Sequence, residues 1–519
     1  MNATSWITLA LIICFFAVMI MIGVRTKRHA LDVNGFVLGS RSVGPWLSAF
    51  AYGTSYFSAV IFVGYAGQFG WNFGVASTWI GLGNAFIGSL LAWVILGRRT
   101  RIMTQHLSSK TMPDFFEARF DSPSLKTAAS VITFIFLIPY TASLYNGLSR
   151  LFSMAFSGVD YSVCVIVMAV LTGIYVILGG YMATALNDFI QGIIMLGGIV
   201  TVIAAVISGN GGLISSMEKL ATGPNGGWEY ASLFGTDPVF LLVVVVLTSL
   251  GTWGLPQMVG KFYAIKNEDS IRKGTIISTF FAIVVAGGCY FLGGFGRLYS
   301  VDVAKDGFDA IIPQMLSNLP ALIIGIVVVL VLSASMSTLS SLVLTSASTI
   351  TLDLINPLRN KKEEDRSTLP LMRLFIVVFI IISALIAIKQ ARSRSLFIAQ
   401  MMGVSWGALA GAFLAPFLYG LYSRKTTKAA VAACFVWGVG LEIVQLLVSL
   451  GAFSVAEVPV LSVVFKNSLY SGVVAMVGGL ILVPVISFLS RNTMPEGIEE
   501  KFACYNDKKT VDITDNLGQ

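Results

Sequence analysis

Apolar runs long enough to cross a bilayer recur from one end of this chain to the other, and they limit its fold more than any other feature. The first covers residues 5–24. Others follow near 45–70, 74–97, 126–156, 160–180, 186–208, 236–260, 274–298, 319–352, 369–389, 396–421, 428–450 and 466–489. About 20 apolar residues in a helix match the hydrocarbon thickness, so thirteen transmembrane helices are expected. Of the 519 residues only 12% are charged, about half the share of an ordinary soluble domain. The chain therefore reads as an all-α integral membrane protein whose first partner is the lipid bilayer. Its net charge of +8 needs no nucleic-acid partner, because the placement of the basic residues explains it.

Arg25, Lys27 and Arg28 follow the first apolar run. A signal peptide would carry such charges ahead of the run, so a retained first helix is expected, with its N-terminus outside. The segments then facing the cytoplasm are 25–44, 98–125, 181–185, 261–273, 353–368, 422–427 and the tail. They and their immediate flanks hold 26 of the 34 Lys and Arg, as the positive-inside rule asks of a multi-pass plasma-membrane protein with a cytoplasmic C-terminus. Lys389, Arg392 and Arg394 are the local exception.

Two spans read as broken. Gly53-Thr-Ser-Tyr-Phe-Ser58 interrupts the 45–70 run, and Gly251-Thr-Trp-Gly-Leu-Pro-Gln257 interrupts 236–260. Irregular backbone survives at membrane depth only where protein covers it or it lines a cavity. Each break opens a group of five spans, and an odd number of spans per group forces the two groups into opposite orientations. That is the pattern of an inverted-repeat transporter with its site at the midplane; the plainer alternative is that Gly and Pro merely kink two helices.

Polar side chains inside the runs are few. Ser333-Ala-Ser-Met-Ser-Thr-Leu-Ser-Ser341 places six hydroxyls in nine residues of an otherwise apolar span. Ser337, Thr338 and Ser341 share one helical face. Such a strip either lets two helices approach closely, each hydroxyl bonded back along its own helix, or offers neutral oxygens to a small hard cation. Asp188 is a buried-acid candidate, functional by default or capping a helix start. Glu442 is expected to make a structural pairing. No Walker A, zinc-helix or nucleophile-elbow motif is present, so an enzyme or an ATP-driven pump is not expected.

Leu38-Gly-Ser-Arg-Ser-Val-Gly-Pro-Trp46, Gly179-Gly-Tyr181 with Asn187-Asp-Phe-Ile-Gln191, Gly254-Leu-Pro-Gln-Met-Val-Gly-Lys-Phe-Tyr-Ala-Ile-Lys266, and Met336-Ser-Thr-Leu-Ser340 with Thr349-Ile-Thr-Leu-Asp353 occur in order. In this the chain resembles the sodium/solute symporter family, nearer its sodium/proline branch than its sugar branch. The resemblance implies a five-plus-five inverted repeat with one leading and two trailing helices. The corresponding division is 1–43, 44–208, an external loop 209–235, 236–421, 422–490 and a tail 491–519. It also implies Na⁺ as coupling ion, one or two per cycle. One site would use the carbonyls of Thr54, Phe57 and Ala334 with the hydroxyls of Ser337 and Thr338. A second, held by some members, would use Asp188, Ser340 and Ser341.

The chain departs from the proline branch where Tyr56 and Val60 stand in place of an aspartate and a tryptophan. Tyr140 matches a substrate-facing tyrosine, though a tyrosine there also suits an ordinary core. With Ser58, Trp253 and Gln400 it outlines a small, partly apolar pocket. That lining favours an amino acid such as proline, or a short carboxylate, over a hexose. The expected function is sodium-coupled import of a small organic solute by a monomer or loose homo-oligomer. The alternatives are a non-transporting sensor of the same fold and a proton-coupled symporter working through Asp188.

Overall fold

Lipid offers the backbone no hydrogen-bond partners, so each span must satisfy its own N–H and C=O groups. The computed structural model describes residues 3–156, 158–361, 365–393, 398–452 and 458–505, and is helical almost throughout. Among the described residues the only β pairing is an isolated parallel bridge between Val43 and Ile265. Ten helices among the described residues are long and apolar enough to cross a membrane, and a bent pair, Pro238–Gly254 with Pro256–Tyr263, adds an eleventh, turned by 47°. Arg394 lies outside the described residues.

Two helical runs exceed any single crossing. Val60–His106 has 47 residues and Tyr161–Gly209 has 49; at 1.5 Å per residue each reaches about 70 Å, against a hydrocarbon core of about 30 Å. Gly180 interrupts the second run with φ 52° and ψ −142°. A Cβ there would sit 2.7 Å from the Phe36 carbonyl oxygen, so both the backbone and the space demand glycine. Residues 181–185, read above as a cytoplasmic loop, are helical instead, with Tyr181, Ala183, Thr184 and Ala185 buried. Gly180 alone leaves helical geometry and helix resumes at Tyr181, so a single residue turns the chain where a loop was expected. Asp188 consequently lies inside a helix and does not cap one.

Both expected breaks are present. Pro45–Tyr56 stops at Phe57, whose φ of −85° and ψ of 119° are extended, and helix resumes through a π-helical turn, Val60–Tyr65. Leu255 breaks the second span with φ −85° and ψ 120°. Pro256 accounts for the second break, since proline disfavours helical backbone in the residue before it. Hydroxyls account for the first. Thr54 Oγ1 bonds back to the Phe50 carbonyl at 2.7 Å, Ser55 Oγ bonds back to Ala51, and Ser58 Oγ accepts the Val60 N–H at 3.2 Å. Such local bonds compete with the helical ladder.

Close approach holds the broken spans in place. Gly70 and Gly293 meet so tightly that a Cβ on Gly70 would lie 2.1 Å from Gly293 backbone. Ahead of the first broken span, Ser40 and Arg41 are left-handed with φ 55° and 52°, a conformation costing about 1–2 kcal/mol per residue. Arg41 is fixed there by hydrogen bonds to the Thr104 hydroxyl and to the carbonyls of Tyr263, Thr104 and Ser109. Burial lowers its guanidinium to about 10, and it stays charged at neutral pH.

Candidate sodium and solute sites

The hydroxyl strip lies on the Ala321–Thr349 helix, which packs against Tyr161–Gly209, Pro123–Ala155, Ala3–Thr26 and the first broken span. At the break, Tyr56 ends the helix and the carbonyls of Thr54 and Phe57 are released from helical bonding. Ser337 Oγ donates to the Thr54 carbonyl at 3.0 Å and lies 3.0 Å from the Ala334 carbonyl. Thr338 Oγ1 is 3.1 Å from the Ala334 carbonyl and 3.3 Å from those of Thr54 and Phe57. All five oxygens named from the sequence therefore converge, and all are buried. Oxygens about 2.4 Å from one ion stand about 3.4 Å apart at right angles. These separations are slightly tighter, so a small bare cation would fit among the five oxygens after a few tenths of an ångström of expansion.

The solute residues come together only in part. Ser58 and Tyr140 are both fully buried. The Tyr140 hydroxyl faces Ser58 and the Trp406 indole but meets neither at hydrogen-bond geometry. Its ring packs edge-on against Trp406 at 6.0 Å between centroids. Ser335 Oγ accepts the Ala59 N–H at 3.3 Å beside them. Trp253 is directed elsewhere, its Nε1–H donating to the Ile87 carbonyl at 3.0 Å. Gln400 sits near the start of Ile398–Tyr422, and its carbonyl accepts the Ser468 hydroxyl. Trp406 and Ser335 were missed in the sequence. Ser335 was visible as part of the hydroxyl strip, whereas Trp406 gave no local signal.

The second group holds a cation of its own. Lys261 Nζ donates to Ser341 Oγ at 2.9 Å and lies 3.5 Å from Asp188 Oδ2. It also stands 5.3 Å from the Tyr181 ring centroid. Read above as part of a cytoplasmic segment, Lys261 is instead in the Pro256–Tyr263 helix and only 4% exposed. Its ammonium occupies the space between Asp188 and Ser341 where a shared sodium was expected. Ser340 Oγ turns back to the Ser337 carbonyl at 2.9 Å. A cavity of about 50 Å³, lined by Lys110, Gln257, Lys261, Ser341, Thr345 and Ser348 among others, adjoins this group. Glu442, in a different helix group, accepts from Ser471 Oγ at 2.8 Å, the structural pairing expected of it.

A polytopic helical protein with two matched breaks and a buried oxygen cage at one of them belongs to the class of secondary membrane transporters. A family profile described as the Sodium:solute symporter family matches residues 36–438. The osmoregulated proline transporter of Bacillus subtilis (strain 168) is 27% identical over 434 residues, 82% of this chain and 85% of that one. The sodium/pantothenate symporter of Escherichia coli (strain K12) is 27% identical over 425 residues, 80% and 85%. A Na⁺-coupled sialic acid symporter, solved in a substrate-bound outward-open state, superposes with a TM-score of 0.73 at 17% identity over 93% of this chain and 98% of that chain. At that identity the likeness speaks for the fold alone. The chain belongs to the sodium:solute symporter family: it is a multi-pass membrane transporter working by symport, with sodium as the coupling ion.

Proposed function

We propose that this symporter imports a small solute bearing a carboxylate, an amino acid such as proline or a short organic acid, with Na⁺ held by Thr54, Phe57, Ala334, Ser337 and Thr338. The convergence of those five oxygens at the first break carries the reading. Sodium there ties the broken span to the Ala321–Thr349 helix and fixes the shape of the adjoining Ser58–Tyr140 region. Coupling is then a difference in ligand affinity between inward- and outward-facing states. The N–H groups of Ala59 and Val60 point at hydroxyls through long bonds of 3.3 and 3.2 Å. A carboxylate is a stronger acceptor and can replace them. The proline and pantothenate named for the two relatives both carry a carboxylate, which supports this solute class.

The same reading takes the chain as thirteen crossings with the N-terminus outside: one leading helix, two inverted groups of five, and two trailing. The matching backbone at Phe57 and Leu255 supports the repeat, and the length of the run broken at Gly180 supports two crossings within it.

Uptake of radiolabelled proline, pantothenate and a panel of amino acids and short carboxylates into proteoliposomes tests it. Accumulation that needs an inward Na⁺ gradient is expected for at least one of them. Saturable binding without accumulation would favour a sensor. Accumulation driven by a pH gradient in the absence of Na⁺ would favour proton coupling. Either outcome would sink the proposal.

A further inference from the structure

Lys261 is the one charged partner of Asp188 among the described residues, and its ammonium bonds to Asp188 and Ser341 rather than to any of the five cage oxygens. It lies on the helix that follows the second break, whereas Asp188 belongs to Tyr161–Gly209 and Ser341 to Ala321–Thr349. Its ammonium thus joins three separate elements. All three groups are buried, with side-chain exposure of 5% for Lys261 and 1% for Asp188. One carboxylate and one ammonium make the group electrically neutral. The ammonium is also placed as an ion would be, against one carboxylate oxygen and one hydroxyl, with an aromatic face on a further side.

We propose that Lys261 is a tethered cation that replaces a second sodium, so that this transporter moves one Na⁺ per cycle where an open Asp188–Ser341 pocket would take two. The inference rests on the sodium-coupled reading above and adds the residue that sets its ion count. A sodium ion entering beside Asp188 would have to share one carboxylate with the ammonium and sit against it in a buried site. Like charges at contact distance are strongly unfavourable there. With the ammonium withdrawn, the same pocket offers Asp188, whose Oδ1 makes no hydrogen bond among the described residues, and the Ser341 hydroxyl. Those are the hard, partly anionic oxygens that sodium accepts.

Lys261 also reaches the first cage through Ser341. The Ser341 hydroxyl lies 2.9 Å from Ser55 Oγ and 3.1 Å from the Ser337 carbonyl. Ser55 follows Thr54, whose carbonyl is part of the cage. The tethered charge is thereby positioned to hold the first site in register through every cycle, a task that a dissociable ion performs only while bound.

Binding of radioactive sodium to the purified full-length protein, at fixed pH and with choline balancing the ionic strength, tests this without knowledge of the solute. Wild type and Lys261→Arg should each saturate at one Na⁺ per chain with a Hill coefficient near one. Lys261→Gln should saturate at two, and Lys261→Gln combined with Asp188→Asn should return to one. A wild-type count of two would overturn the proposal and leave the sodium-coupled reading standing. A wild-type count of zero would overturn that reading itself. A Lys261→Gln protein that binds a single ion with first-site affinity would also overturn the proposal. Should Lys261→Gln fail to fold, the wild-type count decides: one ion upholds the tethered cation and two refute it.

Discussion

Removing one hydroxyl from the proposed sodium cage should weaken sodium binding at least as much as it weakens the fold. Ser337 Oγ touches the carbonyls of Thr54 and Ala334, and Thr338 Oγ1 touches the same two carbonyls together with that of Phe57. In Ser337→Ala both of Ser337's carbonyl partners therefore keep a hydroxyl neighbour, and none is stripped bare. The cost to the fold is that of an ordinary hydrogen bond, about 1 kcal/mol. The ion instead loses one of five oxygens, worth at least ~1.4 kcal/mol, or tenfold in affinity. A sodium concentration 100 times the wild-type Kd should stabilise wild type by about 2.7 kcal/mol. At that same concentration the variant should gain only about 1.4 kcal/mol. Paired binding isotherms and melting curves, with and without Na⁺, read both quantities on one sample. If Ser337→Ala and Thr338→Ala both kept wild-type sodium affinity and the full sodium-dependent rise in Tm, the five oxygens would not be the sodium site.

Two further outcomes concern the solute. A cysteine introduced by Ser58→Cys should react with a water-soluble thiol reagent, and Na⁺ with proline or another transported solute should slow that reaction; no reaction under any condition would make the break packed core and take Ser58 out of the solute site. Tyr140→Phe removes a buried hydroxyl that has no hydrogen-bond partner among the described residues, so stability should hold while the KM for solute rises about tenfold, the value of one hydrogen bond of ~1.4 kcal/mol. An unchanged KM would take Tyr140 out of the solute site.

The cluster of five oxygens at the first break was legible because its signal is local and chemical. Six hydroxyls in nine residues of an apolar span are costly unless used, and the resemblance assigned the carbonyls that complete them. The break at Leu255 was legible for the same kind of reason, since Pro256 dictates the backbone before it. Lys261 was not. In the sequence it is the first of a basic group with Lys266, Arg272 and Lys273, which reads as a membrane-edge loop. Only the turn at Leu255, which swings an eight-residue helix back into the bundle, buries it. Trp253 was misdirected by the same irregularity: within Gly251–Gly254 the chain does not keep the 3.6-residue period, so the direction of the indole cannot be counted along a helix. Gly180 hid a one-residue turn between two helical stretches, and the five residues after it were read as a loop although four of them, Tyr181, Ala183, Thr184 and Ala185, are buried.

Val43 accepts a hydrogen bond from the Lys266 N–H and gives one to the Ala264 carbonyl, and Arg101 Nε–H adds a bond to the Ile265 carbonyl. The segment leading into one broken span is thus stitched to the segment leaving the other. Mechanically the two half-helices become arms of one lever, and torque applied at either arm is delivered to its opposite. Lengthening either segment by a residue would put slack into that linkage while leaving the oxygen cage untouched. Such a protein would still bind its ion and would carry nothing across.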